Sequence, residues 1–153
     1  MKKFKFQLET LLRVTRRKKE DAEVAFANAN RALDDARAGL RELMDAMQRG
    51  QREYEAIVEE GKHVTVGRLR DFNAFFAWKR EQIAMQHQII LSAQADRQKK
   101  LKELMHLMSY LKSIEQLKEK RFEEYKAEAL HEEQKSLDEI GLQLTIRNQR
   151  EKP

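Results

Sequence analysis

A chain of 153 residues is enough for one domain, but 37% of these side chains are charged, only five residues are glycine, and the single proline is the last residue. That composition excludes an ordinary globular core and fits long helices. The absence of cysteine excludes a disulfide framework and Cys-based metal sites. The net charge of +5 is unevenly placed: residues 1–19 carry eight basic side chains against the single acid Glu9, while the rest of the chain carries 23 basic and 25 acidic ones.

The opening Met1-Lys2-Lys3-Phe4-Lys5 has the basic character of a signal peptide, but Gln7, Glu9 and Thr10 interrupt the apolar run that should follow. No stretch reaches the ~20 apolar residues of a membrane span. The expectation is a cytoplasmic protein, associated with a membrane only through others.

Helix 1 is expected over about residues 4–60. With Leu8 as a d position, alternating steps of four and three run to Gly61, and twelve of these sixteen positions are apolar. A 3.5-residue repeat sustained this long argues for a left-handed coiled coil. The pattern stops at residues 59–67, where two glycines fall. Gly61 fits a helix C-cap and Thr65 an N-cap, so a turn is expected at about 61–65. Helix 2 should run from about 66 to 145, followed by a polar tail. Its register is clear from Phe72 to Ile114. An eleven-residue step to Tyr125 then locally unwinds the supercoil, and Leu137, Ile140 and Leu144 continue it weakly.

So short a turn makes the helices antiparallel. Folding near residue 63 pairs residue i with about 126 − i, which sets Tyr54 against Phe72, Gly50 against Phe76, Ala36 against Ile90 and Leu12 against Ile114. Large faces small, as a narrow core requires. Arg97 and Lys100 fall opposite Ala29 and Phe26, with their stems on the seam and their heads reaching out. The fold class is therefore all-α: a single long antiparallel two-helix coiled-coil hairpin, with the end of helix 2 projecting past the start of helix 1.

Catalytic or metal-binding constellations are not legible. His63, His87, His106 and His131 are scattered with no second histidine at i+4, and the glycines form no phosphate-binding loop. The expectation is a non-enzyme with no cofactor, no metal and no small-molecule substrate. One feature rises above a plain coiled coil. Phe72, Phe75, Phe76 and Trp78 crowd seven residues of a chain with eleven aromatics. Phe72 and Phe76 are on the seam; Phe75, Trp78, Gln82, Met85 and Ile89 form a second stripe, which a two-helix core leaves exposed. We take it as a docking face. The alternative is a wider core near the turn, wrapped by residues 59–69.

The opening Phe4-x-Phe6-x-Leu8-x-x-Leu11-Leu12, Arg13, Glu20-x-x-Glu23-x-Ala25, the Ala and Leu seam from Ala29 to Leu43, and Leu69-x-x-Phe72-x-x-Phe75 together resemble the flagellar export protein FliJ family. The resemblance spans essentially the whole chain, although residues 16–19 are more basic than the family pattern. It implies a hairpin similar to the central stalk of rotary ATPases. It further implies a soluble component of the flagellar type III secretion apparatus, peripheral at the inner-membrane base of the flagellum. The implied partners are the hexameric export ATPase FliI, stimulated by the end carrying the termini, the export gate protein FlhA, contacted early in helix 2, and export chaperones that the protein helps recycle. Phe75 is carried over for the gate contact, and Trp78, Gln82, Met85 and Ile89 join it from the stripe. For the ATPase end the matching residues are Phe4, Phe6, Leu8 and Arg13; Arg16, Arg17, Lys18 and Lys19 are added on charge. Three alternatives stay open: the equivalent stalk of a virulence-type system, a generic coiled-coil scaffold, and a coil that binds nucleic acid through residues 1–19. The negative body and missing recognition module weigh against the last, so no nucleic-acid partner is expected.

Overall fold

The computed structural model describes residues 2–59 and 63–151. Two helices account for nearly all of them: α1, Glu9–Glu59, of 51 residues, and α2, Val66–Glu151, of 86. They pack against each other as an all-α helical hairpin, and no strand occurs among the described residues. Neither helix contains proline, so nothing breaks the i→i−4 ladder. Thr65 caps α2 as its position suggested: its Oγ1 accepts from the Arg68 amide at 3.3 Å, and its carbonyl accepts from the Leu69 amide at 3.1 Å. The expected Gly61 cap and most of the expected turn lie outside the described residues.

Both helix ends differ from expectation. α1 starts at Glu9 rather than near residue 4, and residues 2–6 are not helical. Lys2, Lys3 and Lys5 at a helix N-terminus would oppose the macrodipole, whereas Glu9 in the first turn suits it. α2 stays helical through Glu151, so residues after 145 are not a separate tail. That stretch has no proline, and its one glycine, Gly141, is tolerated within the helix.

Two compact units divide the helices: Met1–Lys19 with Leu107–Pro153, and Glu20–His106. In the second, Leu33, Ala36 and Ile90 are buried, with Leu40 and Ala93 packed on them. Near the turn Tyr54 meets Phe72 edge-on at 5.5 Å and Phe76 at 6.2 Å. The polar members of this seam are tied down. Gln86 Nε2 donates to the Ala36 carbonyl at 2.8 Å. Arg97 donates to Asn30 Oδ1 while its guanidinium lies 5.4 Å from the Phe26 ring centre, so its head is held at the seam edge rather than released to water.

In the first unit, Leu12, Leu111 and Ile114 are buried together and Phe6 packs against them. Glu9 pairs with Lys118 at 2.9 Å and Arg16 with Glu115 at 3.5 Å. The expected register holds within each unit: Tyr54 with Phe72 and Ala36 with Ile90 in one, Leu12 with Ile114 in the other. At Gly50, expected opposite Phe76, the ring that closes on the backbone is that of Phe75. From residue 130 to 151 every residue of α2 is exposed, so Leu137, Ile140 and Leu144 extend the apolar spacing without a seam partner.

Candidate partner-binding surfaces

The terminal unit begins with an extended segment laid on α2. Phe4 stacks edge-on to Phe122 at 5.2 Å and lies 5.5 Å from the Tyr125 ring. The Tyr125 hydroxyl donates to the Lys2 carbonyl at 2.6 Å, and the Glu9 amide donates to the Phe6 carbonyl at 3.1 Å. Phe4 and Phe6 are thus half-buried, with part of each ring packed on α2. Leu8, nominally a seam residue, is 39% exposed. It sits in the turn before α1 begins, in a groove with Leu117 and Arg121 of α2, while Phe6 packs on the buried cluster of Leu12, Leu111 and Ile114.

The basic block behaves unevenly. Arg13, Arg17 and Lys18 are exposed, as are the apolar Leu11 and Val14 between them. Arg16 is exposed but already paired with Glu115, and Lys19 is half-buried with a partner of its own. What this end presents is therefore a mixed surface of Leu8, Leu11, Arg13, Val14, Arg17 and Lys18. Sequence reasoning did not single out Leu11 and Val14, because it followed the seam through Leu8, Leu12 and Thr15 and chose this end's residues from the family resemblance and from charge. Their i, i+3 spacing off the seam was the available signal.

The stripe early in α2 is only partly the exposed face that the pattern suggested. Trp78 is 56% exposed, and Met85 and Ile89 are more than half exposed. Phe75 and Gln82 are half-buried. Phe75 turns inward because Gly50 lets it: a Cβ on Gly50 would stand 2.5 Å from its ring, and the ring also packs edge-on to Phe76 at 5.6 Å. Gln82 lies in a shallow groove with Gly39, Leu43 and Met85, its Oε1 buried without a hydrogen-bond partner. Lys79 links the two faces, with Nζ 5.7 Å from the Phe75 ring centre and 4.9 Å from that of Trp78. Within the stripe, Phe75 and Gln82 are thus partly withdrawn from solvent, and Trp78, Met85 and Ile89 are its exposed residues.

Among the described residues no group of three His, Cys, Asp or Glu side chains could hold a metal ion. Among the described residues no helix is long and apolar enough to cross a membrane.

The sequence from residue 4 to residue 150 matches the family described as Flagellar FliJ protein. The chain belongs to the FliJ family. No curated protein matches it. Its fold is similar to that of a YscO homolog from Chlamydia trachomatis, with a TM-score of 0.69 at 18% identity, covering 98% of this chain and 100% of that one. At that identity the likeness speaks for the fold alone. It agrees with the helical hairpin, and the FliJ match covers both surfaces described above.

Proposed function

We propose that this FliJ-family chain is a non-enzymatic, stalk-like component of the flagellar type III protein export apparatus. In this reading the surface of the terminal unit, from Leu8 to Lys18, engages and stimulates the hexameric export ATPase FliI. The exposed part of the second stripe, Trp78, Met85 and Ile89, contacts the export gate FlhA. The protein also helps recycle export chaperones and sits peripherally at the inner-membrane base of the flagellum through its partners. The observation that carries the proposal is the family match over residues 4–150. The helical hairpin and the exposed aromatic and cationic side chains are the support the fold adds. They suit a protein that works by contact, since exposed aromatic and arginine residues are typical interface anchors.

Of the alternatives, the flagellar family match favours this reading over the virulence-type stalk. Nucleic-acid binding through residues 1–19 is weakened by the commitment of Arg16 and Lys19 to other groups. The proposal is tested by co-purifying the chain with its cognate FliI and with the cytoplasmic part of FlhA. Wild-type chain should retain both; Arg13→Glu with Arg17→Glu should lose FliI only, and Trp78→Ala with Met85→Ala should lose FlhA only. A wild-type chain that retains neither partner refutes it.

A further inference from the structure

Within the unit Glu20–His106, the apolar seam does not by itself say where along α2 the first helix should lie. From residue 22 to residue 40 it alternates small and large. A slip of one heptad sets Ala29 where Ala22 was, Leu33 where Phe26 was, Ala36 where Ala29 was and Leu40 where Leu33 was. Small replaces small and large replaces large, so packing along this stretch tolerates the slip. One register is nevertheless formed, with Ala36 and Ile90 in the same buried cluster.

A pair of glycines singles it out. α1 contains two, Gly39 and Gly50. A Cβ on Gly39 would stand 2.9 Å from Gln86 Nε2, and one on Gly50 would stand 2.5 Å from the Phe75 ring. Each of these α2 side chains therefore occupies room that glycine leaves and no other residue does. The two glycines are eleven residues apart on α1, and Phe75 and Gln86 are eleven apart on α2. Eleven residues make close to three helical turns, so the notches lie on one face of α1, about 16 Å apart. Neither side chain is loose in its notch. Gln86 Nε2 donates to the Ala36 carbonyl at 2.8 Å, and the Phe75 ring packs edge-on to Phe76 at 5.6 Å.

The notches refuse the slip that the seam accepts. Moving α1 by seven residues brings Ala32 or Ala46 to Gln86, and Leu43 or Ile57 to Phe75. Every one of these carries a Cβ into space already filled. A slip of eleven keeps one glycine in a notch, but the seam refuses it, because Leu33 and Leu40 would take the places of Ala22 and Ala29. Holding Phe75 and Gln86 against α1 also fixes the rotation of α2. Trp78, Met85 and Ile89, on the turns between and beside them, are left more than half exposed.

We propose that Gly39 and Gly50 are positioning residues: paired notches that take Gln86 and Phe75, fix the register of the two helices in this unit, and so hold the stripe of Trp78, Met85 and Ile89 outward. Only the use of that stripe rests on its reading as the gate contact. The test reads register and side-chain position, so its outcome is separate from whether the chain binds FlhA.

The chain has no cysteine, so introduced pairs report register. Ile90→Cys is combined with Ala36→Cys for the observed register, or with Ala29→Cys or Leu43→Cys for a slip of one heptad either way. Disulfide formation within monomers is then measured, since cysteines with Cα atoms more than about 7 Å apart do not bridge. With both notches intact, only the 36–90 pair should form. Filling the notches with Gly39→Ala and Gly50→Ala, or emptying them with Gln86→Ala and Phe75→Ala, should lower the ratio of the 36–90 pair to the slipped pairs by about tenfold. Filling them should also shift the emission of Trp78, the chain's single tryptophan. The atoms nearest an added Cβ belong to Gln86 and Phe75, so that shift reports movement of the stripe. Circular dichroism shows which variants fold. If the filled chain unfolds, the emptied one, which introduces no clash, decides the register, and Gly39→Ala alone decides the emission. A 36–90 pair as dominant in the variants as in the wild type, slipped pairs that form readily in the wild type, or a Trp78 emission that does not move overturns the proposal.

Discussion

Gly50 and Phe75 show how one residue decides what another can do. Glycine within a helix costs about 1 kcal/mol relative to alanine, so Gly50→Ala in isolation should stabilise α1. The added Cβ would, however, stand 2.5 Å from the Phe75 ring, and overpacking of that kind costs about 1–3 kcal/mol. The net expectation is a loss of thermal stability for Gly50→Ala in the wild-type chain and a gain when Phe75 is already alanine. A double-mutant cycle by thermal melting measures the difference; additive effects would mean that the two side chains do not meet. Leu12, only 1% exposed, sets the other end of the scale. Leu12→Ala should cost about 2–5 kcal/mol, and Trp78→Ala should stay within about 0.5 kcal/mol. The seam residues Leu12, Leu33, Ala36, Ile90 and Ile114 were legible because period and burial coincide there. The inward turn of Phe75 was not legible. Heptad assignment knows which positions face the partner helix but not that a glycine opposite opens room for a flanking ring.

At the scale of elements, length and polarity were readable and the ends were not. Antiparallel pairing with i + j near 126 followed from two registers and one short turn. It is met by Ala36 with Ile90 and, in the other unit, Leu12 with Ile114. The extended start was missed although Phe4, Phe6 and Leu8 are spaced by two, the period of extended chain, because their helical role was inferred from continuity with Leu12. Their contacts with Phe122 and Tyr125 come from residues more than a hundred positions away, which local pattern does not report. At the other end, α2 is helical to Glu151 with no packing after residue 129. Amide hydrogen exchange should therefore be fastest, among helical residues, over 130–151, and slowest around Leu33, Ala36 and Ile90, because local opening tracks buried contacts. Uniform protection along α2 would contradict this. The pairs of Glu9 with Lys118 and Arg16 with Glu115 are partly or well exposed. Each contributes about 0–1 kcal/mol and should weaken in high salt, leaving the core of Leu12, Leu111 and Ile114 to hold the terminal unit.

For the molecule as a whole, the fold class could be read from periodicity, whereas the system it serves rests on the family match. The candidate functions of the hairpin rest on what it exposes: the mixed apolar and cationic start of α1, and Trp78, Met85 and Ile89 on α2. The proposed action of this FliJ-family chain on the export ATPase through the terminal unit is open to a direct assay. The most direct measurement is the rate of ATP hydrolysis by the cognate hexameric FliI with and without the purified chain. The account predicts a rate that rises with added wild-type chain, rises far less with Arg13→Glu and Arg17→Glu, and rises as with wild type for Trp78→Ala. A rate unchanged by the wild-type chain, at concentrations where it is folded and the ATPase is assembled, would contradict it.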